Sequence, residues 1–149
     1  MENIINAKTA KLKEFLASNK IECFQIEERQ DKNETAVFRS KMQIKGQILP
    51  FAILVDDSVY TLLQIQLASA IAKGDAIAKV AAYLNNLNNK YRVFKFVVTD
   101  EGDLLLNVCI PAQNDKFDPV LINAIVGETV KALELEYASM MAKVWDENK

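Results

Sequence analysis

Histidine is missing from all 149 residues of this chain. Its absence removes the usual general base near neutral pH, the commonest metal ligand, and every Ser-His or Cys-His nucleophile arrangement. Glycine is almost as scarce. Gly46, Gly74, Gly102 and Gly127 lie far apart, so neither GxGxxG nor GxxxxGK[ST] occurs and no phosphate-cradling loop is expected. The two cysteines, Cys23 and Cys109, each fall in an expected strand and belong to no CxxC pair, which points away from a disulfide framework or a zinc site. No apolar run is long enough to span a bilayer; the most apolar one, Val59–Ala72, carries Gln64 and Gln66. The start Met-Glu-Asn-Ile-Ile-Asn has neither the basic head nor the apolar core of a signal peptide, so a cytoplasmic location is expected. A net charge of −2 provides no general attraction for nucleic acid or an anionic membrane. Basic and aromatic residues mix only at Lys90–Phe96, where Phe94 and Phe96 fall on the core side of their strand and make poor stacking platforms.

What the chain does have is a globular composition, 50% hydrophobic and 26% charged. That suits one domain over residues 1–149 with a core of its own. The sharpest local signal is a hairpin. Val93–Val98 alternates, with Phe94, Phe96 and Val98 on one side and Lys95 and Thr99 on the other. Asp100-Glu101-Gly102-Asp103 makes the turn, with Gly102 free to adopt a left-handed backbone. Leu104–Ile110 returns.

Around this hairpin the rest falls in order. Residues 3–18 read as a helix with Ile5, Leu12, Phe15 and Leu16 on its apolar side and Lys8, Lys11, Lys13 and Glu14 mostly opposite. Ile21–Glu28 reads as a strand. Ala36–Ile44, Ile48–Val55 and Val59–Leu67 read as a meander, with Pro50 implying an edge or a bulge near that point. Gly74-Asp75 opens a second helix, capped by Asp75 and buried along Ile77, Val80, Leu84 and Leu87. The last helix runs from Pro119 to Val144, started by Asp118-Pro119. The pattern predicts an α+β fold with an antiparallel sheet in the order α-β-β-β-β-α-β-β-α, helices packed on the sheet.

The last helix is apolar on more than one line. Ile122, Val126, Leu133, Tyr137, Met140 and Val144 form one; Leu121, Ile125, Leu135, Ala142 and Trp145 fall elsewhere. Packing of the N-terminal helix beside it is the first expectation, and a homodimer through this helix is the alternative. Residues 101–149 hold four Lys/Arg against nine Asp/Glu. This reads either as a solvated helix surface or as a face for a basic partner.

No catalytic or metal constellation emerges. Asp100, Glu101 and Asp103 lack the spacing of a calcium loop, and acidic residues are ordinary in turns. Asp56-Asp57 is read the same way. Ser69 with Lys73, and Ser139 with Lys143, stand four apart on expected helices, but a Ser–Lys dyad needs a lysine buried with a depressed pKa. Met140-Met141 with Trp145 offers a flexible apolar surface, a pattern that more often belongs to a core.

Tyr83-Leu84-Asn85-Asn86-Leu87-Asn88, Tyr91–Val98, Asp100-Glu101-Gly102, Leu104–Ile110 and Leu133-Glu134-Leu135-Glu136-Tyr137 together resemble the YbjN-like family of bacterial proteins, which share a fold with type III secretion chaperones. The resemblance covers about the last 75 residues. It implies helix, meander, helix, hairpin and final helix, from which this chain departs by a fourth strand before its second helix. It implies no catalytic residue and no cofactor. The function it implies is non-catalytic protein or peptide binding, chaperone-like or regulatory. Expected partner contacts are Val37, Arg39 and Lys41 on the second strand, with Met141 and Trp145 on the last helix. The alternatives are a homodimeric structural or regulatory protein with no other partner, and a small-molecule binder or enzyme using carboxylates.

Overall fold

The computed structural model describes residues 6–148. Helix α1 spans Ala7–Ser18 and strands β1 to β4 span Gln25–Glu28, Ala36–Ile44, Gln47–Val55 and Tyr60–Ala68. Helix α2 (Ala76–Lys90) precedes β5 (Lys95–Val98) and β6 (Leu104–Pro111), and α3 (Pro119–Glu147) closes the chain. The six strands form one antiparallel sheet in the order β1-β2-β3-β4-β6-β5. The fold is α+β in the element order that the hydrophobic periods predict.

Strand alternation decides which side the helices cover. Phe38, Met42, Ile44, Phe51, Ile53, Val55, Leu63, Ile65, Leu104, Leu106 and Val108 point to one side and share a single core with Leu12 and Leu16 of α1, Val80, Leu84 and Leu87 of α2, and Ile122, Leu133, Met140 and Val144 of α3. Each such side chain, once buried, contributes about 1.5–3 kcal/mol. All three helices therefore lie on one face. Among the described residues no helix covers the other face of the sheet, the open face.

Several boundaries differ from the sequence reading. Of the expected first helix, Asn3–Ile5 lie outside the described residues; the helix proper starts at Ala7, where Asn6 Oδ1 accepts from Lys8 N at 2.8 Å. Lys8 does not join the polar side: it is buried in line with Leu12 and Leu16. Its Nζ donates to Ser58 O at 2.9 Å and Tyr60 O at 2.8 Å, and lies 5.6 Å from the Phe117 ring centre. A long stem with two carbonyl partners makes such burial tolerable. Strand β1 is half the expected length because Phe24 leaves the ladder to meet Phe51 and Phe38 edge-on; Cys23 consequently lies outside it. Asp75 makes no capping bond, because its backbone is already helical and the turn starts at Lys73 and Gly74, whose carbonyls accept from Ala76 and Ile77. Helix α3 runs on to Glu147. Its start is as read, with Asp118 Oδ1 accepting from Val120 N at 3.0 Å. At Pro50, β3 keeps its partner Lys41 on β2 but has lost β4, whose pairing starts at Phe51, so the proline sits where β3 is locally an edge.

Candidate functional site

The open face of the sheet is organised in transverse rows. Gln25, Arg39, Ala52, Gln64, Asn107 and Lys95 occupy successive paired positions across all six strands. Gln64 Nε2 donates to Asn107 Oδ1 at 3.0 Å within this row. The neighbouring row is apolar: Val37, Leu54 and Leu62 lead from Glu27 to Cys109. On the other side Lys41 stands opposite Pro50.

Between these residues lies a depression of about 660 Å³, lined by Cys23, Gln25, Arg39, Lys41, Gln64 and Gln66 among others. Its chemistry is amide and cation. Arg39 Nη1 donates to Glu27 Oε2 at 2.7 Å, and this bond, with Arg29 nearby, holds the Glu27 carboxyl below its ordinary range. Lys41 forms no ion pair among the described residues. Among the described residues no carboxylate lines the depression.

The two edges of the sheet differ. At β5, Asn88 of α2 faces the strand with its side-chain amide: Phe96 N donates to Asn88 Oδ1 at 2.7 Å and Asn88 Nδ2 donates to Phe96 O at 3.1 Å. One side chain thus satisfies the N–H and C=O of Phe96, which an added strand would need to pair in the middle of this short edge. At the other edge, β1 pairs only with Ala36–Arg39, so β2 continues past it through Ser40–Ile44 with no strand on that side among the described residues. This step adjoins the depression.

The expected partner residues separate into two groups that the fold does not bring together. Arg39 and Lys41 are exposed on the open face. Val37, in the same strand, is 2% exposed between Glu27 of β1 and Leu54 of β3 and is out of a partner's reach. Met141 is half-buried against the core, while Trp145 is 67% exposed on α3, across the molecule from the open face. Trp145 borders a second depression of about 670 Å³ with Lys73, Asp75, Lys79, Glu147 and Asn148. Glu147 there is ion-paired to Lys143 at 2.7 Å, which holds its carboxyl below the ordinary range. Gln25, Gln64 and Gln66 were not singled out as contacts from sequence, although strict alternation along Val59–Leu67 had already placed both glutamines of that strand on one face.

The other sequence candidates resolve into local structure. Asp103 Oδ1 accepts from Ala70 N at 2.7 Å and from Ser69 Oγ, which ties the hairpin tip to the segment before α2. Among the described residues no three acidic or cysteine side chains converge as metal ligands. Four of the nine acidic residues of the last third stand against lysines: Glu128 with Lys131, Glu134 with Lys45, Glu136 with Lys90, and Glu147 with Lys143. No described helix is long and apolar enough to cross a membrane. A scan of family models finds none that matches the chain, and a search of curated proteins returns no match.

Proposed function

We propose that this protein is a non-catalytic protein-binding module that holds an extended peptide segment along the Ser40–Ile44 edge of β2 and over the adjoining open face. The observation that carries this reading is the asymmetry of the edges: β5 is closed by Asn88, whereas β2 outruns β1 beside a depression. An extended segment laid there would pair its backbone with β2 and place alternate side chains beside Lys41 and Gln43, with Arg39 next along the same face. Cations and amides favour acidic and amide side chains on the partner. The resemblance to YbjN-like proteins points the same way.

The test is a panel of extended peptides, acidic, neutral and basic, titrated against labelled protein. Acidic peptides should shift the backbone amide resonances of Ser40–Ile44 and slow their exchange, and Lys41→Glu should abolish the effect. If no peptide moves these amides, or if basic peptides move them as strongly as acidic ones, the reading is wrong.

A second reading, self-association through α3, is favoured by the exposure of Leu121, Leu135 and Trp145 on that helix.

A further inference from the structure

The second apolar line of α3 is not covered by α1. Leu121 is 47% exposed and Leu135 75%, and Ala142 is exposed beside them. The buried face of the helix, through Ile122, Thr129, Leu133, Met140 and Val144, lies on the opposite side. Leu121, Glu128, Leu135 and Ala142 recur every seven residues, and so do Ala124, Lys131, Ala138 and Trp145, displaced by three. Every one of these positions is exposed. This is the heptad spacing of a two-helix seam, drawn on the solvent side of a helix already packed on its own core.

We infer that α3 pairs with α3 of a second copy of this chain, antiparallel, about a two-fold axis passing between Thr129 and Val130. The inference rests on the self-association reading and is independent of the peptide-holding one. Three features select this arrangement. First, it sets Leu121 against the partner's Ala138 and Ala124 against the partner's Leu135, so each seam leucine meets an alanine, while Trp145 lies beyond the overlap of the two helices. Second, it sets Glu128 against the partner's Lys131, and Lys131 against the partner's Glu128. Their mutual distance within one chain is 3.3 Å, so the charges already stand together at the axis. A parallel, in-register pair would instead stack glutamate on glutamate and lysine on lysine. Third, Gly127 lies in mid-helix beside the axis, and a Cβ built there meets nothing within 4 Å. Nothing inside one chain requires glycine at that position, and a mid-helix glycine weakens the helix relative to alanine. A close approach of a second backbone requires it. The flanking positions add no like-charge contact: Val120 faces the partner's Met141 and Gly127 faces the partner's Glu134.

Sedimentation velocity over about a hundredfold range of concentration tests this, using the full chain, Glu128→Lys, Lys131→Glu, the double exchange E128K/K131E, and Gly127→Ala. The chain should show a reversible monomer–dimer equilibrium. Each single reversal should weaken it by about tenfold or more, because symmetry makes every substitution act twice. The double exchange should restore it to within about threefold of the original. Gly127→Ala should raise the thermal midpoint of the monomer while weakening the dimer. All these positions are exposed, and circular dichroism checks that each variant is folded. A strict monomer at every concentration would end both the self-association reading and this seam. A dimer indifferent to all the substitutions would keep self-association and discard the seam. Single reversals that weaken the dimer without rescue by the double exchange would overturn the antiparallel register.

Discussion

Gly102 and Gly46 allow backbone strain to be separated from close approach within one molecule. Both adopt left-handed backbones, φ +85° and φ +79°. At Gly46 a Cβ would meet nothing within 4 Å, so Gly46→Ala should cost only the conformational penalty, about 1 kcal/mol. At Gly102 a Cβ would lie 1.9 Å from the backbone oxygen of Ala72, a contact no rotamer can relieve. The Gly102 carbonyl also accepts from Ile71 N at 3.0 Å and Ala72 N at 3.2 Å. Relief of the clash must move the hairpin tip away from that segment and lose both bonds, each worth about 1 kcal/mol. With the backbone term, Gly102→Ala should cost about 3–4 kcal/mol. Urea denaturation reads the difference directly. At a slope of about 1.5–2 kcal/mol per molar, the midpoint should fall by about 2 M for Gly102→Ala and about 0.5 M for Gly46→Ala, with slopes unchanged. Equal shifts for the two variants would refute the claim that the hairpin tip docks on residues 71–72.

Two further substitutions probe the polar groups that seat the elements. Lys8→Met should destabilise the fold by about 2 kcal/mol, because the carbonyls of Ser58 and Tyr60 lose their donor. Burial lowers the Lys8 pKa below 10.5. In the native chain this term makes stability rise as pH climbs from the depressed value toward 10.5, since the unfolded state binds the extra proton there. The difference between native and variant stabilities, taken from melting curves at increasing pH, should contain this rise because the variant lacks it, and a difference that stays flat over that range would count against a buried lysine. Asn88→Ala should cost about 2 kcal/mol by removing both bonds to Phe96, and should accelerate amide exchange at Phe96 more than at Leu106. An unchanged Phe96 amide would mean that the β5 edge is closed by something else.

How much was legible beforehand follows from what each residue depends on. The hairpin from Phe94 to Ile110, the Asp118-Pro119 helix start and the meander of β2, β3 and β4 rest on interactions between residues near in sequence or on a strict period of two. The ends of β1 and the fate of Lys8 rest on distant partners: Phe24 leaves the ladder for Phe38 and Phe51, and Lys8 turns inward to two carbonyls some fifty positions away. A helical wheel places Lys8 beside Leu12 and Leu16 but cannot say that acceptors await it. Strand position alone makes Val37 a partner contact like Arg39, yet its burial depends on the side chains set beside it, Glu27 and Leu54, which come from other strands. The amide row is a different case. Gln64 is on the correct face by alternation, but Asn107 beside it and Arg39 beyond Ala52 come from separate strands, so only the register puts them in one row.

By itself the sequence determined the element order, the antiparallel class and the doubly apolar character of α3, because each is written in local periodicity and turn chemistry. The tertiary structure decided which sheet edge is closed, which strand overhangs, and that α1 leaves the outer line of α3 bare. Those outcomes depend on strand order and helix placement, which are set by contacts between residues far apart in the chain, and no local pattern encodes them.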